Sequence, residues 1–211
     1  QLSKSLFPLG ELMKKDVRKL ASEIGLNTAN KKDSQGLCFI GKVKLPIFLQ
    51  QFLKPKNGKV IEIDSKHGIF KKNQNSFHPI KYISEMGKNI GEHNGAHFFT
   101  IGQRKGLNIG GTKNPLFVIG TDVKENIIFV GQGDNHPGLF RKALTVSKKN
   151  IHWIREDLKI KEKDSFEFDA RIRYRQPLTK CSLTIINGEL KVLFSEIQRG
   201  ITSGQFISWY K

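Results

Sequence analysis

Phe166-Glu167-Phe168-Asp169-Ala170-Arg171-Ile172-Arg173-Tyr174-Arg175 alternates apolar and charged side chains without a break. Successive side chains on a strand point to opposite faces, so the stretch predicts a half-buried β-strand with Phe166, Phe168, Ala170, Ile172 and Tyr174 facing a core. The opposite face carries Arg171, Arg173 and Arg175, which suit either a solvated strand face or a contact with a polyanion. Downstream, apolar runs at 181–186 and 189–194 flank Asn187-Gly188, the dipeptide that best tolerates the two positive φ angles of a tight hairpin. Thr202-Ser203-Gly204 then turns the chain into a last strand, 205–210. Residues 140–211 therefore read as antiparallel β-strands.

Working back, short apolar runs at 60–63, 98–101, 116–119 and 127–130 predict the strands of a small central β domain over 44–139. The polar stretch 65–89 between the first two reads as a surface insertion, and His136-Pro137-Gly138 as the turn that closes the domain. At the start of the chain, Leu9, Leu12, Met13, Val17, Leu20, Ala21 and Ile24 recur at helical spacing and predict an amphipathic helix stopped by Gly25. A second helix is predicted over 45–53, with Pro46 in its first turn. The fold class is mainly β with an N-terminal helical segment. Residues 1–43 form that segment, followed by the central β domain and the C-terminal strands of 140–211. No internal repeat is visible.

Thirty-six Lys and Arg against 19 Asp and Glu give a net charge of +17. A surface this basic binds polyanions by releasing their condensed counterions, so nucleic acid is the natural partner. A lysine-rich solvated surface gives the same composition, and charge alone does not separate the two. No apolar run is long enough to cross a membrane as a helix. Two cysteines, Cys38 and Cys181, supply neither a disulfide framework nor the ligands of a structural zinc site, which suits a reducing compartment such as the cytoplasm. The chain opens at Gln1 without an initiator Met, and we expect it to be a piece of a longer protein.

Cys38 lies between Gly36 and Gly41 and follows Lys31, Lys32, Asp33, Ser34 and Gln35, a polar loop whose cations favour the thiolate. An ordinary half-buried cysteine is the competing reading. Cys181 alternates with Leu183 and Ile185 and reads as a small buried hydrophobe. His93 and His97 are four apart, but Asn94-Gly95 between them disfavours a helix and no third ligand is nearby, so no metal site is expected. The glycines and lysine of 106–113 lack the order of a phosphate-binding loop. Gln103-Arg104-Lys105-Gly106 suits a phosphate-facing turn and a polar hairpin end equally. Trp153 and Tyr174 are expected in the core.

Lys32-Asp33-Ser34-Gln35-Gly36-Leu37-Cys38-Phe39-Ile40-Gly41 resembles the second-cysteine motif of the bacterial tRNA-specific 2-thiouridylases. Ser5-Leu6-Phe7-Pro8-Leu9-Gly10-Glu11-Leu12, Gly91-Glu92-His93-Asn94-Gly95, Thr100-Ile101-Gly102-Gln103-Arg104-Lys105-Gly106-Leu107, Arg173-Tyr174-Arg175-Gln176 and Ser203-Gly204-Gln205 resemble further family blocks in order. The resemblance implies that the strands of 140–211 form a C-terminal β-barrel after the small central β domain, and it implies an enzyme that replaces O2 of the wobble uridine of tRNA with sulfur. ATP, with Mg, adenylates the base in an N-terminal domain that lies ahead of Gln1 in the family. A sulfur-relay protein loads a persulfide on the cysteine matching Cys38, and a second cysteine, also upstream in the family, assists release and can close a disulfide with it. Family tRNA contacts fall by motif on Arg173, Tyr174 and Gln205. The chain has no S-G-G-x-D-S nucleotide loop, no upstream partner cysteine and no general-base aspartate beside one, so on its own it is expected to be inactive; it also stops at Lys211 before the family's closing glycine-rich strand, and the last sheet is expected to lack an edge. The rival reading is a non-catalytic RNA-binding β-barrel in which Cys38 is incidental.

Overall fold

A computed structural model describes residues 4–31, 48, 51–73 and 75–211. They fall into two compact units, 1–53 and 54–211. In the first, helix α1 (Lys14–Glu23) is shorter than the periodicity from Leu9 predicts. Residues 7–12 make two tight turns instead, closed by Gly10 N–H to Phe7 O (2.9 Å) and Leu12 N–H to Leu9 O (3.1 Å). Gly25 ends the helix as expected: its φ of 72° lets Leu26 N–H reach back to Ala21 O at 2.8 Å, the closure that only a left-handed residue allows at low strain. No residue of α1 is buried within the described structure, and Leu9, Met13, Leu20 and Ile24 are exposed. Most of the helix predicted over 45–53 lies outside the described residues.

The second unit contains two sheets. The first has strand order β2-β1-β4-β3, built from β1 (Gly58–Glu62), β2 (Lys88–His93), β3 (Leu116–Asp122) and β4 (Ile127–Gln132). β1 runs parallel to β4, with Val60 opposite Ile128, and antiparallel to β2. Both faces are covered, by Val60, Val118, Ile128 and Val130 with Leu107 on one side and by Ile61, Ile119 and Phe129 with Phe70 and Leu139 on the other. Two-sided burial is why these strands read as unbroken apolar runs.

Two expectations fail in this sheet. Residues 98–101 are not a strand: Gly95, at φ 139°, opens a 3-10 turn over Ala96–Phe98. The edge position is held by β2, a polar segment with Ile90 as its one strongly apolar residue. Nor is 65–89 all surface. It contains helix α2 (Gly68–Asn73), which drives Phe70 into the core at 5% exposure. One large aromatic, backed by Ile69, Ile80 and Tyr82, is enough to anchor a segment whose average composition is polar.

His136 is buried at the base of this core. Its Nδ1 accepts from Gly138 N–H (3.1 Å), which leaves Nε2–H to donate to Ile63 O (3.1 Å). Desolvation pushes its pKa below the usual value, and His93 is lowered for the same leading reason. A base held neutral by the fold takes up a proton only on unfolding. Its contribution is therefore present above pH about 6.5 and lost as the pH falls below that value. The melting temperature is expected to fall as the pH drops below about 6.5, with a smaller drop in His136→Gln; an identical profile in the variant would show that His136 does not contribute.

The second sheet has order β5-β8-β7-β6-β9, all antiparallel, from β5 (Phe140–Ser147), β6 (Ser165–Arg171), β7 (Thr179–Ile186), β8 (Glu189–Arg199) and β9 (Ser208–Tyr210). Asn187 (φ 53°) and Gly188 (φ 73°) make the β7-β8 turn as predicted. Phe168, Ala170, Ile172, Cys181, Leu183, Ile185, Leu190, Val192 and Phe194 fill the core, with Trp153 packed against it as expected. Strand β6 stops at Arg171, short of the predicted end. The backbone turns at Arg173, where Gln176 N–H reaches Arg173 O at 3.1 Å, and Pro177 has no N–H to carry pairing onward. Tyr174 is consequently 85% exposed, and Phe166, at the opposite end of β6, is half exposed, so both leave the core assigned to them.

Candidate nucleic-acid interface

The turn that follows β6 and the turn that precedes β9 meet at one end of the second sheet. Arg173 donates from Nη2 to Gly200 O (3.3 Å), and Thr202 Oγ1 donates to the same carbonyl (3.1 Å). Gln205 N–H closes the adjacent turn on Thr202 O (3.3 Å). Two of the residues singled out by motif, Arg173 and Gln205, are thus linked through 200–205. Tyr174 stands beside them. Arg171 orients it, donating from Nη1 to Tyr174 O (2.9 Å) and from Nη2 to Tyr210 Oη (2.9 Å) while lying 5.4 and 5.3 Å from the two ring centres. A guanidinium held between two tyrosines keeps its charge in solvent and fixes both rings.

Beside this cluster opens a cleft of about 570 Å³, lined among others by Arg141, His152, Gln205, Phe206 and Trp209. Phe206 is 91% exposed. Sequence reasoning missed it, although the signal was present. Ile207 and Trp209 pack on the core, so the alternation of 205–210 puts Phe206 and Tyr210 on the outer side. Exposed aromatic rings among arginines can stack unpaired bases, while Arg171, Arg173 and Arg175 can meet the backbone.

Cys38, the expected reactive residue, lies outside the described residues. Cys181 is 3% exposed, and burial pushes its thiol up to about 11, with Asp169 adding to the shift; at neutral pH it is an inert thiol, as its alternation predicts. His93 is buried, its Nδ1 accepting from Gly95 N–H (2.9 Å), and the His97 ring packs on Phe98. Among the described residues no group of three or more His, Cys, Asp or Glu is placed to hold a metal, and no described helix is long and apolar enough to cross a membrane.

Three family models match in succession. Their descriptions are a tRNA methyl transferase HUP domain over residues 1–42, a tRNA methyl transferase PRC-barrel domain over 47–132, and an aminomethyltransferase beta-barrel domain over 141–211. The whole chain is 53% identical to the tRNA-specific 2-thiouridylase MnmA of Flavobacterium johnsoniae, covering 56% of that protein. It is 51% identical to the tRNA-specific 2-thiouridylase MnmA of Karelsulcia muelleri, covering 55%. The chain belongs to the tRNA-specific 2-thiouridylase family. It spans about half the length of the 2-thiouridylases it matches. The two sheets of the second unit coincide in sequence with the PRC-barrel and beta-barrel matches, and family members named for tRNA thiolation share every segment of it.

Proposed function

We propose that this chain is part of an enzyme that thiolates C2 of the wobble uridine of tRNA, supplying the sulfur-carrying cysteine and much of the tRNA-binding surface. The observation that carries the reading is identity above half over the full chain with a tRNA-specific 2-thiouridylase, together with the Gln35-Gly36-Leu37-Cys38 motif. Residues 1–43 are the end of the catalytic domain, 44–139 a central β domain and 140–211 the tRNA-gripping barrel.

In this reading Cys38 receives sulfur as a persulfide from a relay protein in the cytoplasm and its terminal sulfur attacks C2 of the base; the activated O2 leaves with AMP, and a second cysteine of the whole enzyme breaks the S–S bond and ends in a disulfide with Cys38. A persulfide is more acidic than a thiol and is an anion at neutral pH, so it attacks without a strong base beside it. Arg173 and Gln205 contact the tRNA backbone and base edges, and Tyr174 with Phe206 offers rings for unpaired anticodon-loop bases. ATP, with Mg, supplies the activation of the base. The described residues do not fit it: the glycines of 106–111 follow no strand and open no helix, so no step through ATP is assigned to them. The chain alone is expected to bind tRNA and not to turn over.

The test is the whole protein with tRNA, ATP, Mg and a persulfide donor, followed by mass spectrometry of the digested nucleosides. The expected product is 2-thiouridine at the wobble position. An unmodified base, or sulfur at a position other than C2 of the wobble uridine, overturns the proposal.

A further inference from the structure

We infer that the loop over 104–114 is a second RNA contact, a cradle for backbone phosphates formed by Arg104, Lys113 and the loop's own N–H groups. The inference rests on the RNA-binding reading above. Arg104, Asn108, Gly110, Thr112, Lys113 and Asn114 line an open cleft of about 530 Å³ between the two ends of the loop. The cleft is built on fixed ground. Leu107 and Leu116 are buried in the core beneath it, and Ile109 packs against the same cluster. Gly102 N–H bonds Val118 O (2.7 Å), Val118 N–H bonds Gln103 O (2.9 Å) and Asn114 N–H bonds Gln132 Oε1 (3.1 Å), so both ends are tied to the first sheet.

Between those ties the backbone donors are unused. Among the described residues, no N–H from 104 to 113 meets a protein acceptor. Gly106 (φ 89°), Asn108 (φ 52°) and Gly111 (φ 76°) break the strand or helix pairing that would otherwise consume them. Clustered N–H groups in such a turn form an anion-binding concavity. Charge agrees, because residues 93–121 contain no Asp or Glu, while Arg104, Lys105 and Lys113 all lie within them. None of the three has an ion-pair partner among the described residues.

The lining decides which phosphate. It includes no aromatic ring that could stack a base; its apolar members are Leu107, Ile109, Pro115 and Leu116, two of them buried in the core beneath it, so a free nucleotide would be held chiefly by its phosphates. A polymer already gripped at the second sheet needs only such contacts here, because each added phosphate contact releases counterions. The occupant is therefore an RNA phosphodiester. Gln103 bonds within its own turn, its Nε2–H donating to Lys105 O (2.9 Å) and its Oε1 accepting from Thr100 N–H (3.2 Å). The two sequence readings of 103–106 thus divide between residues: Gln103 closes the turn and Arg104 faces the phosphate.

The test is tRNA binding to the full chain by fluorescence anisotropy across a salt series. Arg104→Ala with Lys113→Ala is expected to weaken binding roughly tenfold at physiological salt and to flatten the plot of log K against log salt by about one to two. Arg104→Lys with Lys113→Arg keeps the slope, and Lys124→Ala with Lys161→Ala, two exposed lysines outside the loop, changes affinity by less than about twofold. An unchanged slope in the first pair, or equal losses in the control pair, overturns the inference. ATP and inorganic pyrophosphate are titrated in parallel; loss of their binding with tRNA binding intact assigns the loop to a free nucleotide and also overturns it. In the whole enzyme the first pair raises KM for tRNA and leaves kcat unchanged. If no variant thiolates while the slopes still differ, the proposed reaction has failed and this site has not.

Discussion

Replacing Cys38 by Ser in the whole enzyme is expected to abolish 2-thiouridine formation, lowering the rate by about a thousandfold or more, as removal of a covalent nucleophile does. A serine oxygen cannot carry a transferable sulfur, and its hydroxyl stays protonated where a persulfide is an anion. Binding should survive, because the arginines and aromatic rings proposed to hold tRNA belong to other elements. Cys181→Ala is the matched control. Its thiol is buried among Phe168, Leu183 and Phe194 and held neutral by its surroundings, so the substitution costs about 1 kcal/mol of packing and leaves thiolation intact. Nucleoside mass spectrometry and tRNA anisotropy on the same preparations check both. Thiolation by Cys38→Ser above a tenth of the wild-type rate, or a loss confined to Cys181→Ala, would remove Cys38 as the sulfur carrier.

What could be read from the sequence follows from what each segment does with its side chains. The strands 116–119, 127–130 and 181–186 were legible because burial on one or both faces writes itself into the apolar pattern, and Asn187-Gly188 because its turn demands positive φ. Strand β2 was hidden: an edge strand made of Lys88, Asn89, Ile90, Gly91, Glu92 and His93 pairs through its backbone and needs few apolar side chains. Phe70 was hidden for the opposite reason, since a single anchor in a polar segment leaves no periodicity. The alternation through Tyr174 overran because pattern has no knowledge of partners. β7 pairs with β6 no further than Ala170 opposite Thr179, and Pro177 lies between the two.

The candidate interface was legible only in part. Arg173, Tyr174 and Gln205 came from a motif, and pattern alone assigned Tyr174 to the core. What the motif could not supply is the support: Arg171 between Tyr174 and Tyr210, the shared carbonyl of Gly200 and the exposed ring of Phe206. These depend on residues 27 and 39 positions apart (Arg173 and Gly200, Arg171 and Tyr210) meeting at the edge of a sheet, a relation set by strand order and not by neighbours in sequence. The loop over 104–114 was ambiguous for a related reason, because glycines and lysines state that a turn is flexible and basic without stating whether its N–H groups are already used.

Tyr174→Ala combined with Phe206→Ala is expected to weaken tRNA binding about a hundredfold, since stacking of a base on an aromatic side chain is worth roughly 1–3 kcal/mol per ring. The fold should not register the change. Both rings are almost entirely in solvent, and substitutions at such positions usually shift stability by no more than about 0.5 kcal/mol, so the melting temperature stays put. Neither ring carries charge, so affinity falls with the salt slope unchanged, the reverse of what loss of a phosphate contact produces. Tyr174→Phe keeps the ring and should keep nearly all the affinity. Arg171→Lys keeps the charge but gives up the planar fork that bonds Tyr174 O and Tyr210 Oη together, and should fall between the two. A double variant that melts normally and binds tRNA as tightly as the parent would show that these rings are not a base platform.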